Sequence, residues 1–139
     1  MKKRLNCIML IDDDDDDNYF HQIIINGMNI TERIEVVLNG EEALIFLKKE
    51  NQTQPDIIFL DINMPKMNGW EFMEAYKELR VDQKAKVIVM MLTTSENPED
   101  KKRAALYPEI IGFNSKPLTE GVLGVILEKY FLDAKYDSK

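Results

Sequence analysis

At 139 residues the chain has the size of one domain and enough length to bury a core. Its net charge of −7 argues against a nucleic-acid surface, which would need a basic face. The single cysteine, Cys7, excludes an intramolecular disulfide, and no segment approaches the length that spans a membrane.

Lys2-Lys3-Arg4 is a short basic start, read as a solvated N-terminus. It is followed by Cys7-Ile8-Met9-Leu10-Ile11, an apolar run too short for a signal peptide and ended by acids with no cleavage site. A cytoplasmic protein is therefore expected. The run reads as a buried strand with Cys7 as a small hydrophobe. Six consecutive aspartates, Asp12 to Asp17, come directly after it.

A helix is expected from about Asp17 to Gly27, with Phe20, Ile23, Ile24 and Met28 facing inward. His21, the only histidine, falls between them and is expected to face solvent. Arg33 to Val37 alternates and reads as a strand near a sheet edge. Asn39-Gly40 sets the start of a helix over Glu41 to Lys49, with Ala43, Leu44 and Leu47 inward. Pro55 opens the run Ile57-Ile58-Phe59-Leu60, which ends in Asp61.

Asn68-Gly69 begins a helix that runs to about Arg80, with Phe72, Met73, Tyr76 and Leu79 at helical spacing. Trp70 lies at its start, with no partner that the sequence identifies. Met64, Met67, Met90 and Met91 are packing residues. The long run Val87 to Leu92 ends in Thr93. Ser95 to Asp100 carries a polar cap, a proline in the first turn and acids at the positive dipole end, so it starts a helix. Ile110-Ile111-Gly112-Phe113 is a further strand leading through Asn114 and Ser115 to Lys116-Pro117. Thr119 to Leu132 is the last helix, and Asp133 to Lys139 is a polar tail.

Strands alternating with helices in this way predict an α/β domain over residues 1–139, with its core at about 5–132 and a parallel sheet covered on both faces. Right-handed crossovers leave few topologies. Ligands of such sheets collect at the C-terminal ends of the strands. Those ends here carry Asp12 and Asp13, Asp61, Thr93 and Lys116. Carboxylates, a hydroxyl and an ammonium would then converge at one edge.

Four ordered elements carry a resemblance: Leu10-Ile11-Asp12-Asp13, Phe59-Leu60-Asp61 continuing through Ile62 to Gly69, Leu92-Thr93-Thr94-Ser95 and Ser115-Lys116-Pro117. Each lies at the end of an expected strand, and together they resemble the response-regulator receiver domain of two-component signalling, in its chemotaxis-type single-domain form. The resemblance implies a flavodoxin-like doubly wound (βα)5 fold with strand order 2-1-3-4-5. It implies Asp61 as phosphoacceptor, served by a sensor histidine kinase or a histidine phosphotransfer protein. It also implies Mg²⁺ held by Asp13 and Asp61, by the backbone carbonyl of Asn63, and by Asp12 through water.

Elementary chemistry agrees with that set. A carboxylate is a weak nucleophile but suffices when the transferred phosphoryl group is already activated. Clustered carboxylates repel by about 4 kcal/mol per pair at 4 Å with an effective dielectric near 20, and a hard octahedral cation relieves this. Asp14 to Asp17 read instead as loop and first-turn acids suited to the helix dipole. Thr93 would donate to a phosphoryl oxygen. Thr94, its rival, would point to the other face. Lys116 would pair with Asp61 at rest and with the phosphoryl group afterwards, and the resemblance implies a cis bond to Pro117.

Phe113 matches the switch aromatic of the family, with a plain core residue as the competing reading. A phosphorylation-activated switch is expected, signalling through the face of helix four, strand five and helix five to a protein target that the sequence does not name. With no DNA-binding or enzymatic domain in the sequence, output is expected through protein contacts or onward phosphotransfer, without nucleic acid or membrane. A phosphohydrolase of the haloacid-dehalogenase type would need a second acid where Asn63 stands. A flavin carrier would need a phosphate-cradling loop where Asp12 to Asp17 stand. A degenerate receiver that signals without phosphorylation would not need the complete set of acids, hydroxyl and lysine.

Overall fold

A computed structural model describes residues 4–92 and 98–131. Five strands, β1 (Leu5–Ile11), β2 (Thr31–Val37), β3 (Ile57–Asp61), β4 (Val87–Leu92) and β5 (Ile110–Ser115), form one parallel sheet in the order β2-β1-β3-β4-β5. The helices α1 (Asp15–Met28), α2 (Gly40–Lys48), α3 (Gly69–Tyr76), α4 (Pro98–Ala104) and α5 (Glu120–Tyr130) connect or follow the strands. This is the flavodoxin-like architecture expected from the sequence. Among the described residues no helix is long and apolar enough to cross a membrane.

The inner strands β1, β3 and β4 read as apolar runs because both faces of the sheet are covered there, whereas the edge strand β2 alternates. Successive residues supply two separate cores. Met9, Ile11, Ile58, Leu60, Ile88 and Met90 pack with residues of α2 and α3 on one face. Ile8, Leu10, Ile57, Phe59, Val87 and Val89 pack with residues of α1 and α5 on the other. Asp12 and Asp61 continue the second alternation, so the period of two turns both toward the α1 and α5 side.

The helices start where their caps allow. Asp14 accepts the N–H of Asp17 ahead of α1, Asn39 that of Glu42 ahead of α2, and Thr119 that of Val122 ahead of α5. Asn68 and Glu71 form a reciprocal capping box on α3. Helix α1 ends at Asn29, which takes the left-handed conformation at φ 54°. Helix α3 stops earlier than the expected Arg80. Glu78 and Leu79 donate instead to carbonyls three residues back, and a 3-10 turn at Val81–Gln83 follows.

The inward face of α1 differs from the expected stripe. Asn18, His21, Ile25 and Met28 are buried, whereas Phe20 and Ile23 are 44% and 50% exposed. His21 is therefore not solvent-facing. Specific backbone partners turn this face inward. Asn18 Nδ2 donates to the Asp12 carbonyl at 2.8 Å, and His21 Nε2 accepts the Leu118 N–H at 3.2 Å. Trp70 also gains partners. It stacks on Tyr107 with ring centroids 6.3 Å apart, and the Arg103 guanidinium of α4 lies 5.0 Å from its ring.

Candidate functional site

The chain leaves β1 for β2 on one side and later enters β3 on the other, so the crevice between β1 and β3 is the topological switch point. The carboxylates expected at those strand ends meet there. Asp12, Asp13 and Asp61 each offer an oxygen within 4.8 Å of the others. Asp12 and Asp61 are buried, while Asp13 is exposed at the rim.

Lys116 enters from the turn after β5, where its peptide bond to Pro117 is cis. Its Nζ lies 2.6 Å from Asp12 Oδ2, 2.9 Å from Asp17 Oδ2 and 3.7 Å from Asp61 Oδ1. The sequence expectation paired it with Asp61. The structure keeps that ion pair at 3.7 Å but gives the closer contacts, both hydrogen bonds, to Asp12 and Asp17. Burial depresses the Lys116 ammonium pKa, but the hydrogen bonds it donates to Asp12 and Asp17 outweigh it, and the net shift is upward. The ammonium stays charged.

Asp61 is in the opposite position. Burial first, then the charge of Asp12, pushes its carboxyl up from 3.8 to about 6, against the pull of Lys116 and the Asn63 N–H. Its Oδ1 is buried without a hydrogen-bond partner. One ammonium among four carboxylates leaves local negative charge uncompensated. Three convergent carboxylates, one of them with an orphaned oxygen, suit a hard divalent cation that takes oxygen ligands.

Of the remaining expected residues, Asn63 is exposed two positions beyond β3. Phe113 is half-buried on β5, opposite Met90, and packs against the α2 and α3 core. Thr93, with its rival Thr94, lies outside the described residues.

Three positions gain a role that the sequence did not assign. Asp17 holds Lys116, and His21 holds the turn after it, through partners 99 and 97 residues away. Gly69 presses against β3: a Cβ there would sit 2.9 Å from the Asp61 carbonyl oxygen and 2.9 Å from Ile62 Cα. In the sequence Gly69 is marked by its place after Asn68 and as the last residue of the Phe59-to-Gly69 element, neither of which shows this contact.

A sequence model of the response regulator receiver domain matches residues 8–128. The chain is similar to the crystal structure of a two-component response regulator from Cytophaga hutchinsonii, at 31% identity and TM-score 0.82, over 94% of this chain and 99% of that one. It is also similar to a response regulator receiver protein from Dyadobacter fermentans, at 25% identity and TM-score 0.78, over 90% of this chain and 97% of that one. An uncharacterised response regulatory protein of Vibrio cholerae is 33% identical over 69% of this chain and 34% of its own length. The chain spans about a third or less of the curated relatives it matches, among them protein-glutamate methylesterases. With the matched residues covering almost every strand and helix described above, the chain belongs to the response regulator receiver domain family of two-component signalling.

Proposed function

We propose that the chain is a phosphorylation-activated switch whose acceptor is Asp61. The observation that carries this reading is a buried Asp61 with an orphaned oxygen, set beside Asp12 and Asp13 and within 4 Å of the Lys116 ammonium. Asp61 would attack the phosphorus of a phosphohistidine on a sensor kinase or phosphotransfer protein. The O–P bond forms as the P–N bond breaks, and the histidine leaves with a proton from solvent.

Asp13, Asp61 and the Asn63 carbonyl would hold Mg²⁺, with Asp12 acting through water; the ion would neutralise charge on the phosphoryl oxygens. Lys116 would then pair with the added anion, and Thr93 would donate its hydroxyl to it. Phe113 would turn further inward. The α4–β5–α5 face would change and be read by a protein target in the cytoplasm. Ligand-dependent contacts of this kind shift a pre-existing equilibrium. The chain would catalyse no reaction beyond its own phosphorylation and dephosphorylation.

Incubation with acetyl phosphate tests the reading. The account expects Mg²⁺-dependent labelling that Asp61→Asn abolishes. Labelling that survives in that variant removes Asp61 from the acceptor role.

A further inference from the structure

We propose that Asp17 is a positioning residue that competes with Asp61 for the Lys116 ammonium and holds it away from the acceptor in the resting chain; this rests on the function proposed above. Lys116 Nζ has three donors. Two are directed at Asp12 and Asp17, at 2.6 and 2.9 Å. Asp61 Oδ1, at 3.7 Å, is left without a hydrogen bond.

The Asp17 carboxylate stays where it is because α1 is tied down on both sides of it. Asp14 caps the helix, Asn18 donates to the Asp12 carbonyl, and His21 accepts the Leu118 N–H one helical turn further on. Lys116, by contrast, has a flexible four-carbon stem and can swing. Moving closer to an anion on Asp61 draws it away from Asp17.

Removing the Asp17 charge has two consequences of opposite sign. The ammonium, then held by Asp12 alone, moves closer to Asp61, screens it, and weakens binding of a cation alone. Binding of a phosphoryl mimic at saturating cation strengthens, because the ammonium no longer leaves a partner to meet it. A merely structural role for Asp17 would weaken both.

Full-length parent, Asp17→Asn and Asp16→Asn chains would be titrated with Mg²⁺ by calorimetry. Beryllofluoride would then be titrated at saturating Mg²⁺ and followed by amide shifts. Asp16 is exposed on the same helical turn, and its variant matches the change in net charge. Relative to Asp16→Asn, the Asp17→Asn chain is expected to bind Mg²⁺ at least about threefold more weakly and beryllofluoride at least about threefold more tightly. Weakening of both, or values equal to those of Asp16→Asn, overturns the proposal while leaving the phosphoacceptor reading intact. A parent chain that binds neither probe overturns both.

Discussion

Lys116 Nζ and Asp12 Oδ2 are 2.6 Å apart, and both side chains are more than nine-tenths enclosed. The pair joins the turn after β5 to the end of β1, 104 residues apart in sequence. It neutralises Asp12 better than Asp61. Asp61 is thus the buried carboxylate with the least compensation in the cleft.

Asp61→Asn is expected to stabilise the metal-free chain at neutral pH. Asp61 carries a folded pKa of about 6 against an ordinary 3.8, so holding it ionised costs on the order of 3 kcal/mol. A raised carboxyl contributes its full stability below the unfolded value and loses it as pH climbs through the folded one. The gain from Asp61→Asn should therefore be present at pH 7 and gone near pH 4. Urea unfolding in chelator at both pH values checks this; an equal gain at both would contradict the electrostatic origin.

His21→Leu should lower stability by about 1–3 kcal/mol, because the buried Leu118 N–H loses its acceptor. Burial lowers the His21 pKa from 6.5. The contribution of the neutral ring is complete above 6.5 and fades as pH falls through the lowered folded value. The stability gap between parent and variant should thus shrink on acidification. Denaturant midpoints at pH 7.5 and pH 5 measure the gap, and a constant difference would refute the bond's role.

These two residues also mark what was legible in the sequence. The inner strands were, because burial on both faces makes each a continuous apolar run, and the edge strand β2 showed as an alternation. The site at their ends followed from the runs and from Asp12, Asp13, Asp61 and Lys116. The phase of α1 was not legible. Apolar periodicity pointed to Phe20 and Ile23, whereas hydrogen bonds of Asn18 and His21 to distant backbone rotated the helix. Asp17 was hidden in the same way, in a run of six identical acids whose only distinguishing partner lies 99 residues on. Glycine at 69 showed in sequence as a helix start, but not that its missing Cβ admits the Asp61–Ile62 backbone.

Gly69→Ala should accordingly cost about 1–3 kcal/mol, since the clash is with backbone and not with a side chain that can rotate away. The displaced strand end should also weaken Mg²⁺ binding. Thermal unfolding with and without Mg²⁺ checks both effects, and a variant as stable as the parent would show that the contact relaxes freely.

Among the acids after β1, position should decide function. Asp13→Ala is expected to weaken Mg²⁺ binding by tenfold or more, on the order of 1.4 kcal/mol. Asp15→Ala, on the exposed first turn of α1, should leave it nearly unchanged. Calorimetric titration of each variant separates the two, and a reversed order would mean that the ligand register is wrong.

The central claim is that one carboxylate in this cleft accepts the phosphoryl group. Peptide mapping by mass spectrometry after phosphorylation with acetyl phosphate and Mg²⁺ addresses it most directly, with acidic quenching to preserve the acyl phosphate. The account predicts a single modified residue, Asp61. Modification of Asp12 or Asp13 in its place would contradict it.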